Sequence, residues 1–505
     1  MALLGLGALG PVSLGGCASA RSSRPGGVAP STEAPAAEAG EFEFDDDGDG
    51  QPRLRWTIAL QAGGDVDVGV VSTRLCFPGA PPARVGPEYG PALRYLADIP
   101  QVVDPQGRPL GRRLQVVDDG RAGIDTAGVP AGACVAFDVD VEAAADAIDN
   151  RDLAKVVGRS LLISPDVWLW RPKPWPAGHT AGVLRVDDEG RVAVPFPRTG
   201  PGQFEVRSSA FALQSYTALG DFSTRRRIMA RGADLDVVFV DRGALGDDEL
   251  VGWIQTAIDD VAVPMLRFPV TRATMLVVPV AGARPVVAGF LGRGGGASAL
   301  FLVGRGPLHV EADPEIIDLE GRWVLTHELA HALLPPVARG DAWLNEGITT
   351  WNQEVLPASA GRRDRELSAA QLRIGFRTGA RRAERDGLSL ERSCTQMDRM
   401  HSYQHCYWGG AALVQLLSEE LGDDAVYALI RGIWATGPVD GRPRRATDLL
   451  EAVKTSATEP ASRAAAAALL RLWHRHKGNL FPPVSAGDVG EMSVGEQLPT
   501  TDGDA

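Results

Sequence analysis

Two histidines four residues apart bracket a carboxylate in the run Trp323-Val324-Leu325-Thr326-His327-Glu328-Leu329-Ala330-His331-Ala332-Leu333-Leu334. The apolar spacing predicts a helix, and Pro335-Pro336 stops it. Four residues are about one helical turn, so His327 and His331 can reach a single ion from one face while Glu328 stands beside them. Downstream, Gly340-Asp341-Ala342-Trp343-Leu344-Asn345-Glu346-Gly347 opens a second predicted helix. Packed antiparallel to the first, it can bring Glu346 in as a third ligand. Two imidazoles and one carboxylate suit a single zinc ion per chain, with a fourth position left for water, as in a catalytic rather than a closed structural site. The chemistry expected is hydrolysis by a water whose proton Glu328 accepts and then hands to the leaving group, with no covalent enzyme intermediate.

A third segment, Cys406-Tyr407-Trp408-Gly409-Gly410-Ala411-Ala412-Leu413, opens another predicted helix. The motifs together resemble the active site of gluzincin zinc metallopeptidases, specifically the aminopeptidase N family and the PDZ-bearing glycyl aminopeptidases. That resemblance implies zinc ligands at His327, His331 and Glu346, a catalytic Glu328, and a supporting role around the metal for Asp341. It also implies a peptide or protein substrate and a thermolysin-like α/β catalytic domain. In those families a Tyr followed by Gly and Ala stabilises the oxyanion, which maps onto Tyr407; Tyr403 is its nearest rival. His401 and His405 read as surface residues. The 14 residues between His331 and Glu346 are fewer than those families usually have, a shorter interhelix connection.

The resemblance weakens at the amine-recognition segment. Aminopeptidases of these families read the free substrate amine with a Glu on a loop and edge strand before the zinc helix. The corresponding stretch is read here as Gly294-Gly295-Gly296-Ala297-Ser298-Ala299-Leu300-Phe301-Leu302, which has no acid. Gly295, Gly296 and Ala297 are the expected substrate-binding residues, through backbone hydrogen bonds to an extended peptide. Both exopeptidase and endopeptidase action stay open. The alternative is a non-catalytic lipoprotein that kept the scaffold to bind peptides or an envelope partner, against which intact Glu328 and Tyr407 argue.

These residues need a scaffold, and 505 residues with 44% in the hydrophobic set suffice for two or three cored domains. The expected class is multidomain α+β. Short alternating runs such as Trp56 to Leu60, Val66 to Val71 and Cys134 to Val141 predict a β-sandwich-like domain over 42–216. Strands at Leu235–Val240 and Ala273–Val280 around a helix at Asp247–Val261 predict the catalytic α/β domain over 217–357. A helical domain that completes the site follows over 358–481, including Ala411–Leu421 and Ala461–His474, before a flexible tail over 482–505.

At the other end, residues 1–17 read as a bacterial lipoprotein signal ending in Leu14-Gly15-Gly16-Cys17, with Cys17 lipidated, although no Lys or Arg precedes the apolar run. Residues 18–41 read as a disordered tether. The expected location is therefore extracytoplasmic, lipid-anchored in the bacterial cell envelope. Asp45, Asp47, Asp49 and Gly50 have calcium-loop offsets, but the twelfth position is Trp56, so an acidic turn is the expectation. The remaining cysteines, Cys76, Cys134, Cys394 and Cys406, allow three pairings, of which Cys76–Cys134 with Cys394–Cys406 keeps each bridge within one domain. Net charge is −13, and no basic stretch has the density of a nucleic-acid surface.

Overall fold

The structure is a computed structural model that describes residues 53–484 except 119–121, 149–152, 177–180, 209–210, 212–214, 242–245, 281–285, 293–296, 305–322 and 437–442. The stretches read as a lipoprotein signal with Cys17, a tether and an acidic turn at Asp45–Gly50, and the expected tail beyond residue 484, lie outside the described residues. Among those described, no helix is long and apolar enough to cross a membrane.

The N-terminal part is built on an eight-stranded sheet in the order Arg198–Gly200, Gln203–Arg207, Ala181–Val186, Leu54–Gln61, Val70–Cys76, Cys134–Asp140, Gln101–Val103, Pro109–Arg113. Alternation decides its faces. Leu54, Trp56 and Ile58 are fully buried while Arg55, Thr57 and Ala59 point the other way. Cys76 and Cys134 are direct cross-strand partners and form a disulfide. The second strand starts four residues later than the valine run suggested. Val66 and Val68 are buried in a bend whose amides at Gly64 and Asp65 donate to the Glu142 carboxylate at 2.9 and 2.8 Å. That local acceptor competes with the ladder for the backbone. Thr217–Leu219 pairs with Ser160–Ile163, so this part continues just past residue 216.

A five-stranded sheet follows, formed by β1 (Thr224–Ala230), β2 (Ala233–Phe239), β3 (Arg272–Val280), β4 (Val286–Gly292) and β5 (Ser298–Gly304). Its order is β1-β2-β3-β5-β4. β2, β3 and β5 are parallel, and β4 returns antiparallel along the far edge. Val238, Val240, Leu276, Val278, Leu300 and Leu302 on one face pack against Val157, Leu162, Ala193, Tyr216 and Ala218 of the N-terminal part. A sheet covered on both faces must be apolar throughout, which is why β3 and β5 read as unbroken hydrophobic runs.

On the other face lie α1 (Asp247–Val261), α2 (residues 323–330, continued as a 3₁₀ turn over His331–Leu333) and α3 (Ala342–Ser359). Beyond them come α4 (Arg365–Asp386), α5 (Leu390–Thr395), α6 (Tyr403–Leu421), α7 (Asp423–Thr436), α8 (Ala446–Ser456) and α9 (Pro460–His476). One hydrophobic core runs from Ile228 through the five-stranded sheet and these helices to Trp473. α3 and α6 touch backbone to backbone. A Cβ on Gly347 would lie 2.5 Å from the Gly410 carbonyl carbon, and one on Gly410 would lie 2.4 Å from the Trp343 oxygen. Alanine in place of a helical glycine ordinarily stabilises. Here Gly347→Ala is expected to cost about 1–3 kcal/mol through overpacking against main chain that cannot rotate away. Urea unfolding of the variant checks the sign.

Candidate metal centre

α2 carries Leu325, Leu329 and Ala330 into the core, which turns His327, Glu328 and His331 the other way. α3 enters from the far side with Trp343 and Leu344 buried on either side of its first turn, delivering Glu346 to the same point. Glu346 Oε2 lies 3.6 Å from Nε2 of His327 and 3.6 Å from Nε2 of His331, and all three donor atoms lie within 4.8 Å of one another. No other cluster of three such groups occurs among the described residues.

Neighbouring groups fix which nitrogen of each ring carries the proton. Thr349 Oγ donates its only proton to the Asn345 carbonyl at 2.7 Å, so at 3.2 Å it accepts from His331 Nδ1. Gln353 Oε1 lies 2.7 Å from His327 Nδ1 and also accepts. Both Nδ1 atoms therefore hold protons, and both Nε2 lone pairs face Glu346. The Glu346 Oε2 atom is buried and has no hydrogen-bond partner. A buried carboxylate oxygen with no donor, opposite two imidazole lone pairs, is unfavourable without a cation between them. The donor set of two nitrogens and one oxygen fits zinc.

Glu328 is adjacent to the donors without being one of them. Burial pushes its carboxyl up to about 7. Gly289 of β4 packs on it so closely that a Cβ there would come within 2.3 Å of Glu328 Cγ. Tyr407 stacks its ring on that of His327, with 5.8 Å between centroids. Burial, and then the negative charges of Glu346 and Glu328, push its phenol well above 10, which keeps it a proton donor. Tyr403 instead turns its hydroxyl to Asp398, which pairs with Arg339. The Cys394–Cys406 disulfide ties α5 to the first turn of α6, next to Tyr407.

Some positions differ from the sequence reading. The strand read as the edge is β5, which lies inside the sheet between β3 and β4; the edge is β4. Ala297 is buried at the start of β5, where its carbonyl accepts from Thr274, so it is not on the edge that a peptide can reach. Gly295 and Gly296 lie outside the described residues. Asp341 sits at the start of α3 and faces Arg445 at 3.8 Å rather than either histidine. His405 is not on the surface: it is fully buried, and Nε2 donates to the Leu480 carbonyl at 2.6 Å, because the segment after α9 folds back over α6. His401 is exposed. Thr349 and Gln353 were missed, although positions 346, 349 and 353 share one helical face and that spacing was readable.

No family model matches the chain, and no curated protein does. Among solved structures, the M1 zinc metallopeptidase from Deinococcus radiodurans is 16% identical, with a TM-score of 0.47 over 87% of this chain and 95% of that one. A variant of it bound to a Tyr-Ser-Ala substrate gives 0.45 at 16% identity over 85% and 94%. An aminopeptidase N family protein from Idiomarina loihiensis is 15% identical and superposes with a TM-score of 0.52 over 84% of this chain and 71% of that chain. This chain thus shares the overall fold of that aminopeptidase N family protein.

Proposed function

We propose that this chain is a zinc-dependent peptidase, with zinc held by His327, His331 and Glu346. The observation that carries the reading is the convergence of those three donors, both imidazoles locked in the Nδ1–H form, with Glu328 beside them and outside the donor set. Zinc bound there supplies Lewis acidity to water and to the scissile carbonyl. Glu328 accepts the proton of the attacking water and passes it to the departing amine. Tyr407 donates a hydrogen bond to the oxyanion as it develops. Among the described residues β4 has no partner strand on its outer side, an edge that an extended peptide could join by strand addition. Its residues, Val286 to Gly292, include no acid, so a peptide docked there would be held through backbone groups, and exopeptidase and endopeptidase action both stay open.

The chain is further proposed to act outside the cytoplasm, anchored to a bacterial membrane through Cys17. The Leu14-Gly15-Gly16-Cys17 sequence supports this, as do two disulfides, which persist in oxidising compartments. The test uses the chain lacking residues 1–17. It is expected to hold about one zinc, to cleave a mixed peptide library, to lose cleavage to a chelator and to regain it with added zinc. Cleavage inside N-terminally blocked peptides would mark endopeptidase action, and cleavage confined to free N-termini would mark exopeptidase action. Zinc binding without cleavage of any peptide would favour the non-catalytic scaffold.

A further inference from the structure

His331 and His327 are oriented by different means. Thr349 serves His331 by itself, because its single proton is committed to Asn345. Gln353 cannot serve His327 in the same way. Its amide has a donor end and an acceptor end of nearly the same shape, and either could face the ring. With the NH₂ turned towards His327, Nδ1 would have to accept, the ring proton would move to Nε2, and the lone pair aimed at the metal would be gone.

The structure contains the group that removes this ambiguity. Gln353 Nε2 donates to Glu354 Oε1 at 2.9 Å, and a carboxylate can only accept. Glu354 Oε2 in turn accepts from Arg363 Nη1 at 2.6 Å. Gln353 is 4% exposed and Glu354 6%, and the side chain of Arg363 is 8% exposed, so all three are withdrawn from bulk solvent. Arg363 reaches this position because the chain turns back after α3, the amides of Arg362 and Arg363 both donating to the Pro357 carbonyl while Arg362 pairs with Asp260 of α1. A buried ion pair costs desolvation that packing could avoid, so its presence here needs a reason other than stability.

We infer that the buried Arg363–Glu354 pair is a positioning device for the metal centre: through Gln353 it sets the tautomer of His327 and thereby its strength as a ligand. The inference rests on the zinc reading, but part of its test does not. In the metal-free protein, with histidine rings labelled with ¹⁵N and the pH raised until His327 is neutral, its ring is expected as the Nδ1–H tautomer, and a neutral ring protonated on Nε2 alone would overturn the inference whether or not zinc binds. Zinc affinity is then measured by competition with a chromophoric chelator. Glu354→Gln frees the Gln353 amide to turn and is expected to weaken zinc binding about tenfold or more, the usual effect of losing an outer partner of a ligating histidine.

The exchange Gln353→Glu with Glu354→Gln is the deciding variant. A carboxylate at 353 accepts from Nδ1 in either orientation, and the amide at 354 still bridges it to Arg363. Affinity is expected to return to within about threefold of the parent, with the ring signature restored. A purely structural role for Glu354 predicts the reverse, an exchange variant as weak as the single one, with a lowered melting temperature in the metal-free state. Unchanged affinity in Glu354→Gln also overturns the inference. Should that single variant fail to fold, the parent's tautomer and the exchange variant still decide. A parent chain that takes up no zinc would defeat the functional proposal, and the tautomer would then be judged separately.

Discussion

Glu328→Gln is expected to lower peptide cleavage about a thousandfold while zinc stays at one per chain. The amide matches the carboxylate in shape and leaves His327, His331 and Glu346 in place, so the donor set is unaltered. What it removes is a group able to take a proton from water and give it back. General acid–base catalysis is worth about 10²–10⁴-fold, and the upper part of that range applies when one residue acts in both directions. Burial raises the Glu328 carboxyl above the ordinary carboxylate range, which strengthens it as an acceptor for the proton of the attacking water. The fall should appear in kcat with little change in KM, since the lost interaction belongs to the transition state. The control is His331→Ala, which should lose zinc and activity together. A drop smaller than about tenfold in Glu328→Gln would mean that another base does the work. Equal inertness of parent and variant towards every peptide, with zinc bound in both, would identify a scaffold that binds without cutting.

The donors were legible because their geometry is local. Four residues on one helix fix where His327 and His331 point, and the Trp343 to Gly347 segment announces its own helix. Whatever depends on pairing between distant segments was not. β4 and β5 are both short apolar runs beside a Gly-rich stretch, and nothing within either says which is interior. The strand order follows from β5 pairing with β3 on one side and β4 on the other, which no periodicity encodes. The choice between Tyr403 and Tyr407 is of the same kind. The two lie about one helical turn apart on α6, and only the position of Asp398 and Arg339 shows that the first is engaged elsewhere. His405 looked exposed because its burial comes from Leu480, 75 residues away. The Gln353, Glu354 and Arg363 series mixes both kinds: the helical face was readable, the return of Arg363 was not.

That difficulty with the edge strand makes Gly289 the sharpest test of how the catalytic sheet meets the base. Gly289→Ala is expected to reduce kcat/KM about a hundredfold, the scale of loss when a reacting group is displaced by roughly 1 Å. A Cβ at this position would lie 2.3 Å from Glu328 Cγ, 3.1 Å from Cδ and 3.3 Å from Cβ. Contacts that short do not persist, so one side must yield. β4 is held by its ladder, with Gly289 paired to Phe301 of β5, and Phe301 is fully buried. α2 is held by Leu325 and Leu329 in the core. Neither backbone can retreat without breaking a larger set of contacts. The Glu328 side chain therefore swings, and its carboxylate leaves the place where it meets the attacking water. Zinc affinity should stay within about threefold of the parent, because the three atoms nearest the new methyl all belong to Glu328, which is not one of the donors. The melting temperature should change little for the same reason. This combination separates Gly289→Ala from Gly347→Ala, where a methyl pushes α3 from α6 and stability falls first. Activity in Gly289→Ala within about threefold of the parent would mean that β4 lies farther from the base than the structure places it, and the peptide would then have to dock elsewhere than along that edge.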